Sequence, residues 1–164
     1  MTLASGRRAS YYVDARRALL RPGAFRAAGE LLAERARDSS ATAVGGPTTG
    51  AIPLACAAIA ADPDASLAGF FVRKERKEHG LQRWIEGAAE PGSRCLVVED
   101  TVTTGGSVVE AIERIRSEGL EIGRVVCVVD RLTGAGEAIE AAAEAPFEAL
   151  FTIDDVYPER PDRA

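Results

Sequence analysis

The chain has 164 residues, a length that fits one domain, residues 1–164, with a sizeable core. Its net charge is −5 and its arginines are scattered among acidic residues, so no basic face predicts a nucleic-acid partner. The apolar runs are too short for a membrane span, and the first residues lack the charged and apolar regions of a signal peptide.

Strand and helix patterns alternate along the chain after a polar N-terminal hairpin that is predicted to end near Arg17. The helices are predicted at 23–37, 51–61, 106–118 and 136–144, and the strands at 41–46, 68–72, 82–86, 94–99, 123–129 and 147–153. This alternation predicts an α/β fold with a mostly parallel sheet and helices on both faces. Residues 154–164 are predicted to form a C-terminal tail, anchored by Tyr157 if it is ordered.

A glycine-rich turn is predicted after the first strand, which ends near Val44. The turn precedes a helix that begins near Ile52 and Pro53, so it places an anion site at a helix start. Its residues are Gly45, Gly46, Thr48, Thr49 and Gly50. A tight connection between strand and helix would explain the same glycines.

The charged segment 70–84 contains the only lysines of the chain, Lys74 and Lys77, and its only histidine, His79. Elsewhere all positive side chains are arginines. Flexible ammonium groups concentrated in one place favour a mobile cationic loop. A solvated turn, partly neutralised by its own glutamates, is the alternative.

Residues 96–112 pass from an apolar strand through Glu99 and Asp100 into a turn of threonines, glycines and serine, and then into an amphipathic helix. The free N–H groups and the dipole of the helix start favour an anion. Gly105 and Gly106 let the backbone close around it, and hydroxyl donors come from Thr101, Thr103, Thr104 and Ser107.

Two carboxylates beside a phosphate would repel it unless they face something else. A ribose diol fits, because its hydroxyls donate to Glu99 and Asp100 while the 5′-phosphate of the same sugar reaches the turn. No Walker A or GxGxxG pattern is present here. An ordinary turn with a Ser/Thr cap is the alternative interpretation.

A buried strand at 125–130 ends in Asp130 and Arg131. The carboxyl end of a strand faces the usual ligand crevice of an α/β sheet, so Arg131 is expected to point into that crevice. An ion pair with Asp130 or a nearby glutamate is the alternative.

Other residues are predicted to be structural. The three cysteines, Cys56, Cys95 and Cys127, lack CxxC spacing and lie in apolar segments, so we expect small core residues in a reducing compartment. Trp84, at the end of the charged segment, is expected to anchor the returning strand in the core, and stacking on a ligand is the alternative.

These motifs together resemble a known family. The acid pair and its turn resemble the phosphoribosyl-diphosphate (PRPP) signature of type I phosphoribosyltransferases, and RKERKEHG resembles the catalytic loop of orotate phosphoribosyltransferases. SGRRASYYVDAR is similar to the N-terminal element of that family, and AVGGPTTGAIPLA to its first diphosphate-binding loop. The family has a helical segment before the N-terminal element, so residues 1–17 are expected to give only a reduced hood.

The resemblance implies a role for each matching residue. Lys77, His79 and Asp100 are the expected catalytic residues, and Thr103 and Arg131 are expected to bind orotate. Gly46, Pro47 and Thr48 are expected in the diphosphate loop. The implied PRPP-binding residues are Arg73, Lys74, Lys77, His79, Glu99, Asp100, Thr101, Val102, Thr103, Thr104, Gly105, Gly106 and Ser107.

The implied activity is transfer of the phosphoribosyl group of PRPP to orotate in pyrimidine synthesis, by a cytoplasmic homodimer that shares loops between subunits. Mg²⁺ is the implied cofactor, held mainly by substrate and water, with no dedicated protein cage. The alternatives are a phosphoribosyltransferase for another base and a non-catalytic regulator that senses PRPP or nucleotides.

Overall fold

Six strands form one sheet in the computed structural model, which describes residues 11–75 and 83–161. The strands are β1 (Ala43–Pro47), β2 (Ala68–Val72), β3 (Ile85–Gly87), β4 (Arg94–Val102), β5 (Glu121–Asp130) and β6 (Phe147–Thr152). Their order across the sheet is β3-β2-β1-β4-β5-β6. Only the edge pair of β2 and β3 is antiparallel within the described residues.

The helices are α1 (Ala15–Leu19), α2 (Pro22–Asp38), α3 (Ala51–Ala61), α4 (Gly106–Ser117), α5 (Gly136–Ala143) and α6 (Ile153–Val156). The first three pack on one face of the sheet, and α4 and α5 pack on the other. The predicted mostly parallel sheet with helices on both faces is therefore confirmed.

Alternation along the central strands divides the core into two layers. In β4, Cys95 and Val97 belong to the cluster under α4 and α5, whereas Leu96 and Val98 belong to the cluster under α2 and α3. Successive strand residues point to opposite faces, so a run that is apolar at every position is buried on both sides. This burial fixes the register of β4 and hence the position of the residues at its end.

The connections create a crevice between β1 and β4. The chain leaves β1 through α3 on one face and leaves β4 through α4 on the opposite face. Where the connections after two neighbouring parallel strands leave on opposite faces, the loops at the carboxyl ends of these strands separate and leave room for a ligand. The acid pair lies at the carboxyl end of β4, on this crevice.

Two local predictions were wrong. The described part of the N-terminal segment contains α1, where a hairpin was expected. Gly45 and Gly46 are strand residues paired with Phe70 and Phe71, because β1 continues to Pro47, so the predicted turn shortens to residues 48–50.

The predicted C-terminal tail starts inside the short helix α6. A capping box of Thr152 and Asp155 lies at the N-terminus of this helix.

Two of the three cysteines are buried, as predicted. Burial raises the pKa of the thiols of Cys95 and Cys127 to about 12, so both thiols are inert. The prediction for Cys56 was wrong, because this residue is exposed on the outer side of α3. Trp84 is half-buried and packs against the core, as expected. No helix in residues 11–75 and 83–161 is long and apolar enough to cross a membrane.

Candidate active site

A cleft of about 360 Å³ opens at the carboxyl ends of β1 and β4. It brings together residues from five stretches that the sequence analysis describes separately. Its lining consists of Tyr12, Val13, Arg16, Pro47, Thr48, Thr49, Gly50, Lys74, Glu99, Asp100, Thr101, Thr103, Ser107 and Arg131.

The acid pair occupies the floor of the cleft. Glu99 is buried, with 7% of its surface exposed, and its Oε1 accepts a hydrogen bond of 3.0 Å from the backbone N–H of Asp100. Both carboxylates lie against Gly50, at the start of α3. The positive end of that helix favours negative charge at this position.

Arg16 faces Asp100 from the N-terminal side. Its Nε lies 3.6 Å from Oδ2 of Asp100 and 3.6 Å from Oδ1 of Asp14, and its Nη2 donates a 3.0 Å hydrogen bond to the hydroxyl of Tyr12. The guanidinium therefore balances the charge of Asp100. Because it lies beside Asp100, the two carboxyl groups of the acid pair have different electrostatic surroundings.

The surroundings of Glu99 favour its protonated form. Burial and the neighbouring charge of Asp100 together raise the pKa of Glu99 to about 8, against the opposing effects of the Asp100 N–H group and Arg16. At neutral pH Glu99 therefore keeps its proton, so its carboxyl group can donate to a ligand hydroxyl as well as accept from one.

This protonation makes stability depend on pH. The native state holds a proton on Glu99 that the unfolded chain releases near pH 4.5, so the free energy of unfolding should fall as pH rises from about 4.5 to about 8 and then level off. Urea unfolding of the wild type and Glu99→Gln at pH 5, 6, 7, 8 and 9 measures this slope. Gln mimics the protonated acid, so the slope of the variant should be flatter across that window. Equal slopes would contradict the assignment.

The turn after the acid pair presents an anion site. Gly105 caps α4 with φ of 75°, a left-handed conformation that favours glycine, and the first N–H groups of α4 face out of the helix. Ser107 and Thr103 line the cleft, and the buried hydroxyl of Thr101 has no hydrogen-bond partner among the described residues. This orphaned hydroxyl and the helix start suit a phosphate.

Not every residue expected in this turn lines the cleft. The side chain of Val102 is buried in the core, because β4 extends through it, and only its backbone remains for a ligand. Thr104, Gly105 and Gly106 form the turn itself. Their side chains or Cα atoms lie outside the lining of the cleft.

The end of β1 supplies the opposite wall. Pro47 and Thr48 line the cleft, together with Thr49 and Gly50, and the peptide bond between Thr48 and Thr49 is cis. Gly46 is inside the sheet and does not line it.

The charged segment reaches the cleft through Lys74. The neighbouring Arg73 does not line it, because its Nη1 lies 3.3 Å from Oε1 of Glu86 on β3 and its Nε donates to the carbonyl of Glu75. Lys77 and His79, the other cationic groups predicted here, lie outside the described residues.

Arg131 enters from the carboxyl end of β5. Its Cζ lies 4.9 Å from the ring centroid of Tyr11, which in turn meets Tyr157 edge-on at 5.3 Å, so the tail supports this wall through Tyr157. The expected alternative, an ion pair with Asp130, does not form, because that carboxylate accepts from the N–H of Leu132 at 2.9 Å. The Nε of Arg131 is buried without a hydrogen-bond partner in the described part of the chain.

Sequence reasoning assigned no role to two of the lining residues, Tyr12 and Arg16. The signal for them lay in YYVDAR, where aromatic, acidic and basic side chains come close together before the first long helix. Within the described residues no group of three His, Cys, Asp or Glu side chains could hold a metal ion. A Mg²⁺ ion carried by a polyphosphate and water fits such a site, since this ion keeps its waters and substrate oxygens as ligands.

Comparisons with known proteins show which family the chain resembles. A phosphoribosyl transferase domain model matches residues 16–145. The chain is 47% identical over 156 residues to an orotate phosphoribosyltransferase of Corynebacterium glutamicum, covering 95% of this chain and 84% of that protein. It is similar to a structure of Mycobacterium tuberculosis orotate phosphoribosyltransferase with Fe(III) dicitrate, with a TM-score of 0.84 and 44% identity over 96% of this chain and 89% of that one. A structure of the same enzyme with PRPP gives 0.80 and 42%, over 95% and 88%.

Proposed function

Because this chain belongs to the orotate phosphoribosyltransferase family, we infer that it transfers the 5-phosphoribosyl group of PRPP to orotate, releasing diphosphate and orotidine 5′-phosphate. This reaction is a step of pyrimidine synthesis. The observation that carries the inference is the single cleft that gathers the acid pair, the hydroxyl-lined helix start, Lys74 and Arg131.

The sugar phosphate would bind along β4 and the start of α4. Asp100 would accept from one ribose hydroxyl and the protonated Glu99 would pair with the other, while the turn of residues 101–107 would bind the 5′-phosphate. The orphaned hydroxyl of Thr101 supports this assignment, since a buried donor without a partner is costly unless a ligand satisfies it.

The bond to C1 of the ribose breaks as diphosphate leaves and the orotate nitrogen attacks, so no side chain need act as a nucleophile. Lys74 lines the cleft and would meet the growing negative charge of the leaving group, with the adjacent Thr48 beside it. Lys77 and His79 are assigned to the same task by the motif alone. Mg²⁺, bound to PRPP oxygens and water, would neutralise charge on the diphosphate.

The base would bind between Arg131 and Thr103. The guanidinium of Arg131 offers a buried Nε and a planar fork that matches the carboxylate of orotate. Replacing it by lysine keeps the charge and loses the fork.

Arg131→Lys should therefore raise KM for orotate about tenfold and leave KM for PRPP unchanged. Initial rates at varied orotate and at varied PRPP measure both constants. Arg37→Lys, on the exposed last turn of α2, is the matched control and should change neither. An unchanged KM for orotate in Arg131→Lys would remove this residue from the base site.

We also propose that the enzyme is a cytoplasmic homodimer. The sequence of α3 contains no charged or polar side chain apart from the thiol of Cys56, and its exposed outer side includes Cys56 and Ile59. A surface helix normally has a polar outer face, so this apolar face supports contact with a second copy. The three free thiols suit a reducing compartment.

The test of the activity is loss of orotate absorbance on mixing the protein with PRPP, Mg²⁺ and orotate, with hypoxanthine, guanine, xanthine and uracil assayed in parallel. Consumption of orotate that needs both PRPP and Mg²⁺ is the expected result. Turnover of another base without turnover of orotate would change the base assignment, and silence with every base would contradict an enzymatic role.

A further inference from the structure

Two side chains at the C-terminal end of α4 contact the two ends of residues 73–84, the part of the charged segment that follows β2. Arg114 donates a 2.7 Å hydrogen bond from Nη1 to the carbonyl of Arg73, where the segment begins, and its Cζ lies 4.0 Å from the ring centroid of Trp84, where the segment ends. Glu118, directly after α4, accepts a 2.8 Å hydrogen bond from the N–H of Trp84. The two ends also meet each other, because the N–H of Arg73 donates to the carbonyl of Trp84 at 2.9 Å.

These contacts are well sheltered from solvent. Only 15% of the side chain of Arg114 is exposed, and Glu110, one turn earlier on α4, pairs with its Nη2. A guanidinium that stacks on an indole and donates to a backbone carbonyl at the same time has little freedom to move. The contacts of Arg114 therefore depend on the charge, the planar shape and the length of its side chain.

The same helix begins at the anion site. Ser107, in the first turn of α4, lines the cleft, and Arg114 lies two turns further along. Between them a small cavity of about 190 Å³ reaches from Thr48 to Arg73, and Lys74 lines both this cavity and the cleft. A rigid helix thus joins the proposed phosphate site to the backbone that carries Lys74.

We propose that Arg114 is a positioning residue. Its guanidinium group contacts both the Arg73 carbonyl and the Trp84 ring, and these two contacts fix the backbone that places Lys74 at the leaving diphosphate. The catalytic part of this assignment rests on the proposed function. Arg114 touches no substrate in it. Its effect passes through the backbone between Arg73 and Lys74.

The test compares Arg114→Gln with Arg116→Gln. Arg116 lies on the same helix, also donates to a backbone carbonyl, that of Ala143 at 2.7 Å, and pairs with Glu144, but it faces α5, away from the charged segment. Both variants lose one charge and one carbonyl contact. Equal unfolding midpoints in urea would establish that any further difference between them is local.

Trp84 is the only tryptophan of the chain, so its fluorescence reports directly on the contact between Arg114 and the Trp84 ring. Arg114→Gln should shift the emission to longer wavelength by uncovering the ring, and should lower kcat about tenfold with KM for orotate unchanged. Arg116→Gln should leave the emission and both constants as in the wild type. Matching behaviour of the two variants in emission and in kcat would overturn the proposal.

A second set of variants tests the coupling. Trp84→Phe keeps a ring for the guanidinium and should retain kcat, whereas Trp84→Ala should reproduce the loss in Arg114→Gln. The double variant Arg114→Gln with Trp84→Ala should have a kcat no lower than that of either single variant. Additive losses of kcat would overturn the proposal. If the wild type turns over no orotate, the proposed function has failed, and the emission comparison still decides whether Arg114 covers Trp84.

Discussion

Asp100→Asn is expected to lower kcat/KM for PRPP about a hundredfold while the protein remains folded. The substitution keeps the shape of the side chain and removes its charge. A hydrogen bond to a charged partner contributes about 1.5–3 kcal/mol, and about 1.4 kcal/mol corresponds to a factor of ten in rate. The loss of this charge also removes Asp100 as an ionic partner of Arg16.

Steady-state rates at varied PRPP measure the effect, and Asp130→Asn is the control. Asp130 ends the neighbouring strand β5 at the same edge of the sheet, but it lies outside the lining of the cleft and accepts from the N–H of Leu132, which Asn can still satisfy. The control should keep wild-type rates. Wild-type kinetics in Asp100→Asn would disprove that this carboxylate binds the ribose.

The regular part of the fold follows from local signals in the sequence. Residues 51–61 form the helix that was predicted, because an apolar run lies between Gly50 and Asp62, and the buried strands are apolar at successive positions. Such signals need only the near neighbours of a residue. The same is true of the acid pair and its turn, since one strand and the helix that follows it place both.

Other features depend on contacts between distant segments, which the sequence pattern does not contain. The five residues of α1 are too few for a helical period, and Gly45 and Gly46 look like turn residues until β2 and β4 are known to flank them. The exposure of Cys56 could not be predicted because α3 is apolar all round. The sequence of this helix does not distinguish its inner side from its outer side. Arg73 turns to Glu86 because of the pairing between β2 and β3.

Gly50→Ala is expected to lower kcat/KM for PRPP by about a hundredfold or more, an effect as large as removal of the charge of Asp100. A Cβ at this position would lie 2.5 Å from Oε1 of Glu99 and 2.6 Å from Oδ1 of Asp100, far inside contact distance. Asp100 is 18% exposed at its side chain and can turn away, whereas Glu99 is closed in by the core. The pair would therefore separate or shift.

The backbone itself would accept alanine at this position. Gly50 has φ of −64° and ψ of −38°, a right-handed helical conformation, so any loss comes from the contact with the carboxylates and not from backbone strain. Gly23→Ala is the matched control, because a Cβ there meets nothing within 4 Å in the second position of α2, and it should keep wild-type rates. Unaltered kinetics in Gly50→Ala would mean that the position of the acid pair does not limit the reaction. A loss of kcat/KM in Gly50→Ala, with wild-type rates in Gly23→Ala, would show that the acid pair keeps its position only if residue 50 has no side chain.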